Sequence, residues 1–203
     1  MSEPVTPQDR YLDLMRTLRQ RFDVIKALKS APALAFEHAD TAAFHGRKII
    51  EGMAFGCIVA VDASKTTIPR EARGQWDARK ILLELKRKGL GVLPSPSRLR
   101  LPTPHEQSLG AGVVVEGIAE ARLTEDALLQ IYQRLHGWLH EANPYVHGSH
   151  AAYYAKNAAS LWDDLALLRR FMERHAISIN DHGFYCTLWD STDGQTKIFD
   201  YSR

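Results

Sequence analysis

The chain reads as mainly α-helical: a bundle of five helices with a C-terminal β-hairpin and a candidate extra strand near residues 113–123. Three patterns predict this. Apolar residues recur at three- and four-residue spacing over most of the chain, helix-start and helix-stop residues bracket those stretches, and the last 28 residues change to period two.

The first helix opens at Thr6-Pro7-Gln8-Asp9, where threonine suits the cap, proline the first helical position and an acid the helix dipole. Tyr11, Leu14, Met15, Leu18, Phe22, Ile25 and Leu28 form its stripe, and Ser30-Ala31-Pro32 stops it. A second helix from Ala33 to Val61 would span about 44 Å at 1.5 Å per residue, which makes it the central element. Gly46, Gly52 and Gly56 lie along it, and their spacing predicts close approach of a neighbouring backbone, or a bend. The third helix is expected over Gln75 to Lys88, with Trp76, Ile81, Leu82 and Leu85 on its apolar face and Gly89 as its stop.

Residues 89–110 carry Pro94, Pro96, Pro102 and Pro104 and read as a proline-rich loop, excluded from helix or central strand. Alternation at Val113, Val115, Ala119 and Ala121 marks the candidate strand, interrupted by Gly117. Thr124-Glu125-Asp126 starts the fourth helix, with Leu128, Ile131, Tyr132, Leu135 and Trp138 as its stripe. The fifth begins near Ser149 or His150 and runs to about Arg174. Residues 1–175 thus form the bundle, and residues 176–203 the hairpin, turning at Asp193-Gly194.

Composition narrows the class. With 203 residues, 45% hydrophobic and 25% charged, the chain is of ordinary globular composition, long enough to bury a core without disulfides. Its longest apolar run, Ile49 to Val61, contains Glu51 and falls short of the roughly 20 residues a membrane span needs. A polar, acidic start and only two cysteines, Cys57 and Cys186, predict a cytoplasmic protein. No cofactor motif is present: GMAFG lacks the lysine of a phosphate loop, and no serine sits in a nucleophile elbow.

The net charge of +2 conceals an asymmetry. Residues 63–105 hold 10 basic side chains against 3 acidic, while residues 106–203 hold 8 against 13. Arg73, Arg79, Lys80, Lys86, Arg87, Lys88, Arg98 and Arg100 are therefore the candidate surface for RNA or for an acidic protein partner, although the same split also fits packing against the acidic end of this chain or of a second copy. The hairpin aromatics Phe184, Tyr185, Trp189, Phe199 and Tyr201 are candidates for base stacking or for core packing.

The densest chemistry lies in RLHGWLHEANPYVHGSH, residues 134–150. His136 and His140 share a helix face, and His147 or His150 could return as further metal ligands; capping of the helix end is the alternative reading. On the second helix Arg47 and Glu51 are one turn apart and read as an ion pair.

The helical bundle, the RKIIE stretch at Arg47–Glu51 and an arginine followed by a histidine four to six residues later resemble the HEPN superfamily of prokaryotic helical proteins. Many members are metal-independent RNases of toxin and antiphage systems that place such a pair at a dimer interface. The resemblance implies a homodimer in which Arg134 holds phosphate, His140 acts as acid and base, and Asn143 or Tyr145 orients the scissile group. A non-enzymatic interaction module is the other reading.

Overall fold

The computed structural model describes residues 5–31, 35–140, 145, 149–180 and 182–202. Helix α1 (Pro7–Lys29) begins with a reciprocal capping box: the Asp9 amide donates to Thr6 Oγ1 at 3.1 Å, and the Thr6 amide donates back to the Asp9 carboxylate at 3.1 Å. Helix α2 (Phe36–Ala63) is the centre of the molecule; its expected first residues, Ala33 and Leu34, lie outside the described residues. Six consecutive residues, Ile49 to Ala54, are buried, so this helix is covered all round rather than along one stripe. Its neighbours are α1, α4 (Ala78–Arg87), α6 (Glu125–Trp138), α7 (His150–Glu173) and two strands of the sheet.

The glycines of α2 receive side chains, not a neighbouring backbone. A Cβ on Gly46 would stand 2.4 Å from Leu165 Cδ2, and one on Gly52 would stand 2.4 Å from Leu18 Cδ2. Leucines from α7 and α1 thus fill the space that a methyl would occupy.

Two short helices, α3 (Arg70–Arg73) and α5 (Pro104–Ser108), bring the total among the described residues to seven. The expected third helix is shorter than its pattern: Asp77 caps α4 by accepting from the Lys80 amide at 3.0 Å. Trp76 therefore precedes the helix and is 80% exposed instead of buried. Gly89, at φ +70°, does end the segment.

The larger correction is the sheet. Strands β1 (Ser95–Arg100), β2 (Val114–Gly117), β3 (Arg174–Ile179), β4 (His182–Thr187) and β5 (Lys197–Ser202) form one antiparallel sheet in the order β2-β1-β3-β4-β5. The protein is mainly helical, but it is not a five-helix bundle with a hairpin. The segment read as a proline-rich loop supplies an interior strand. Pro96 is tolerated there because its carbonyl accepts from the Ile118 amide at 2.7 Å; its ring nitrogen faces the same way, beyond the β2 pairing that starts at Ser97–Gly117. Pro104 opens α5, and the Thr103–Glu106 capping box holds it. The C-terminal hairpin of β4 and β5 turns at Gly194, φ +67°, and β3 adds a third strand joined directly to α7.

Alternation gives the sheet two faces. His175, Ile177, Phe184 and Cys186 are buried against the helices. No helix among the described residues is long and apolar enough to cross a membrane.

Candidate active site

Helices α2 and α6 run antiparallel, so that Arg47 meets His136 and Glu51 meets Tyr132. Leu128, Ile131 and Leu135 bury one stripe of α6 in the core, which turns Tyr132, His136 and, just past the helix end, His140 into line at four-residue intervals. Arg47 and Glu51 present the same spacing from α2.

The cluster is continuous. Arg47 Nε donates to Glu51 Oε1 at 3.1 Å and to the Tyr132 hydroxyl oxygen at 3.2 Å, while the Tyr132 hydroxyl donates to Glu51 Oε1 at 3.2 Å. The Arg47 guanidinium also lies over the Tyr132 ring, 5.0 Å from its centroid. Lys48 Nζ meets the other Glu51 oxygen at 2.7 Å. The Glu51 carboxylate, buried in the protein, thus has donors on both oxygens, as a buried charge requires. From Arg47 the chain continues outward: its NH1 donates to His136 Nδ1 at 2.6 Å, and His136 Nε2 stands 3.1 Å from His140 Nε2.

This bonding assigns the tautomers. Arginine only donates, so His136 Nδ1 is an acceptor and its proton sits on Nε2. His140 Nε2 must then accept that proton, and carries its own on Nδ1. One proton lies between the two Nε2 atoms, and a second would force the rings apart.

The electrostatics agree. His136 is held below the ordinary histidine value by partial burial, then by the charges of Arg47 and His140. Burial raises the Tyr132 hydroxyl, partly opposed by the bond from Arg47. Burial works against the Arg47 charge, but Tyr132 and Glu51 outweigh it and raise its pKa. The charge of Asp77, the cap of α4, acts on both Tyr132 and His136.

The residues expected to act together are placed apart. Arg134 does not face His140; its Nε and NH2 make a bidentate pair with Asp164 of α7 at 2.8 and 2.7 Å. His150 stacks on Phe36 with ring centroids 4.4 Å apart. Asn143 and His147 lie outside the described residues, and Tyr145 is 97% exposed. Among the described residues, no three His, Cys, Asp or Glu side chains are placed to share a metal ion.

The basic island divides in two. Lys86 pairs with Glu125, Arg87 with Glu84, Arg98 with Glu116 and Arg100 with Glu106. Arg73, Arg79, Lys80 and Lys88 are exposed and form no ion pair among the described residues. Of the hairpin aromatics, Phe184 and Tyr185 are buried, Trp189 packs on Phe22 and bonds Asp23, and Phe199 is half-exposed. Cys57 is buried, and burial pushes its thiol up to about 12, which fits a core residue.

Tyr132 is the site residue that sequence reasoning passed over, and His136 is one that it gave only as a candidate metal ligand or helix cap. Their signal is the i, i+4 match to Arg47 and Glu51 on another helix, visible only once the two helices are paired. No family model, curated protein or solved structure matches the chain.

Proposed function

We propose that this chain is an HEPN-like cytoplasmic protein that binds RNA and cleaves it at the Arg47–Tyr132–His136–His140 cluster, acting as a homodimer. The observation that carries the reading is the His136–His140 pair: an N–H donor backed by an arginine, 3.1 Å from an imidazole nitrogen with a free lone pair once RNA parts the rings. Histidine has the proton affinity to work near neutrality.

In this reading His140 Nε2 takes the proton of a 2′-hydroxyl, whose oxygen attacks the adjacent phosphorus. The P–O2′ bond forms and the P–O5′ bond breaks, and His140 returns the proton to the 5′-oxygen. The products are a 2′,3′-cyclic phosphate and a 5′-hydroxyl. His136 Nε2–H donates to a non-bridging phosphate oxygen, with the Arg47 charge behind it and Glu51 and Tyr132 holding Arg47 in place. The phosphate role falls to this pair instead of Arg134, whose fork is closed on Asp164. Exposed Arg79 and Lys80 would track the RNA backbone.

The test is cleavage of single-stranded RNA by the purified protein, beside DNA of the same sequence, which lacks the attacking hydroxyl. His140→Ala and His136→Ala should each lower the rate by about a hundredfold or more, while Arg134→Ala should leave the rate per folded molecule unchanged. Undiminished cleavage by His140→Ala would sink the assignment. Arg73, Arg79, Lys80 and Lys88, which form no ion pair among the described residues, favour a second reading, a docking surface for an acidic protein, and RNA binding that weakens with salt would count against it.

A further inference from the structure

On the sheet face opposite to His175, Ile177, Phe184 and Cys186 runs a groove of about 910 Å³. Its floor is made of small residues that the register sets side by side: Ser97 opposite Gly117, Ser95 opposite Ala176, and Ser178 further along β3. Farther across the same face stand Leu99, Tyr185 and Phe199, so the groove is the place where large side chains are missing. Its volume is in the range of small-molecule sites.

Two features of its lining specify a ligand. The first is charge. Arg122 is the one ionisable side chain other than a tyrosine among the lining residues, and it forms no ion pair among the described residues. Its NH2 lies 2.8 Å from the point where a Cβ on Gly117 would stand, and Ser95 Oγ lies 3.9 Å from that point. A permanent cation and a hydroxyl therefore converge over a bare glycine, with the Tyr201 side chain on the groove wall. The second feature is an apolar wall in contact with water. Val113 and Leu109 line the groove while 56% and 73% exposed, and Val115 continues the wall.

We propose that this groove binds a small amphipathic acid: one carboxylate or phosphate head, held by Arg122 and Ser95, on an apolar body lying along Val113, Val115 and Leu109. The absence of acidic residues from the lining means that a single negative charge is matched one to one by Arg122. This site is separate from the histidine cluster and stands or falls independently of RNA cleavage.

The experiment titrates the full chain with decanoate and with decyl phosphate below their micelle concentrations, reading affinity by calorimetry and location by the amide shifts of Gly117, Ala176 and Ser178. Decanol and decyltrimethylammonium serve as neutral and cationic controls, and uridine monophosphate as an anion with a polar body. Both decyl anions should bind, the two controls about tenfold more weakly or not at all, and Arg122→Ala should cost about tenfold in affinity for the anions. Gly117→Val, which displaces Arg122, and Ser178→Trp, which fills the floor, should abolish binding at unchanged melting temperature. Equal affinity for decanol, an unchanged Arg122→Ala, tighter binding of uridine monophosphate than of decanoate, or shifts confined to other residues would each overturn the proposal. A carboxylate preference over phosphate, or the reverse, identifies the head group.

Discussion

The Tyr11 hydroxyl donates a 2.7 Å hydrogen bond to Nε2 of His175, a pair 164 residues apart in the chain and fully buried. The other ring nitrogen of His175 donates to the Met172 carbonyl at 2.9 Å, and burial keeps the ring neutral, which leaves Nε2 to accept from Tyr11. This bond ties α1 to the junction where α7 becomes β3. Burial pushes the pKa of His175 down to about 4, against an ordinary value of about 6.5 in the unfolded chain.

Stability should follow that difference. Because the folded value is the lower one, the unfolded chain binds the proton first as pH falls. The contribution is fully present above the unfolded value and is lost progressively between about pH 6.5 and 4, to a total of about 3 kcal/mol. Urea midpoints measured from pH 7.5 to 4.5 should fall over this window. Tyr11→Phe, which leaves a buried nitrogen without its donor, should cost about 1–3 kcal/mol at pH 7.5. A flat profile would show that the ring is not held neutral.

The pair of Arg134 and Asp164 should be a matter of stability alone. Asp164 is nearly buried, whereas the Arg134 side chain is 49% exposed, so solvent screens the pair. Arg134→Ala should destabilise by about 1–2 kcal/mol, mostly by stranding the carboxylate, and Asp164→Asn in the same background should recover part of the loss. Denaturant unfolding of the single and double variants gives the coupling. A cleavage defect larger than the loss of folded protein would return Arg134 to the active site.

His136 should titrate below an ordinary histidine, and Arg47→Met should move it upward. Part of the depression would remain, since burial is its larger cause. His140→Ala should move it in the same direction by removing a like charge. As the folded value is again the lower one, the contribution of His136 to stability is present above the ordinary histidine pKa and fades as pH falls. The imidazole C–H resonances followed by NMR read this directly, without reference to activity. An unmoved His136 in Arg47→Met would break the proposed link between the two.

RNA affinity should separate the two halves of the basic island. Charge reversal at Arg79 and Lys80 should weaken binding and flatten its salt dependence, by about 0.7 in the log–log slope for each phosphate of the single strand that is no longer neutralised. Reversal at Arg98 and Arg100, whose charges are already met by Glu116 and Glu106, should change the slope less. Filter binding across a salt series distinguishes them, and equal effects would contradict the division.

The long helices were legible because their causes are local. The Thr6 and Thr124 caps, the three- and four-residue stripes and Gly89 act within a turn of the residues they organise, and α1, α6 and α7 start within a residue or two of those signals. Trp76 broke the pattern because the Asp77 cap, one residue on, set the helix start. Strand β1 was hidden for a different reason. Whether Pro96 is forbidden depends on which way its nitrogen faces within the sheet, and the chain order does not carry that information. The same holds for the chemistry. Arg47–Glu51 was visible as a one-turn spacing, but its union with Tyr132 and His136, the capture of Arg134 by Asp164 and the neutral burial of His175 each join residues 30 or more positions apart. Local propensity and charge can be read along the chain. Which donors meet which acceptors is decided by how the helices and the sheet pack, since side chains from distant segments come within bonding distance only once those elements are together.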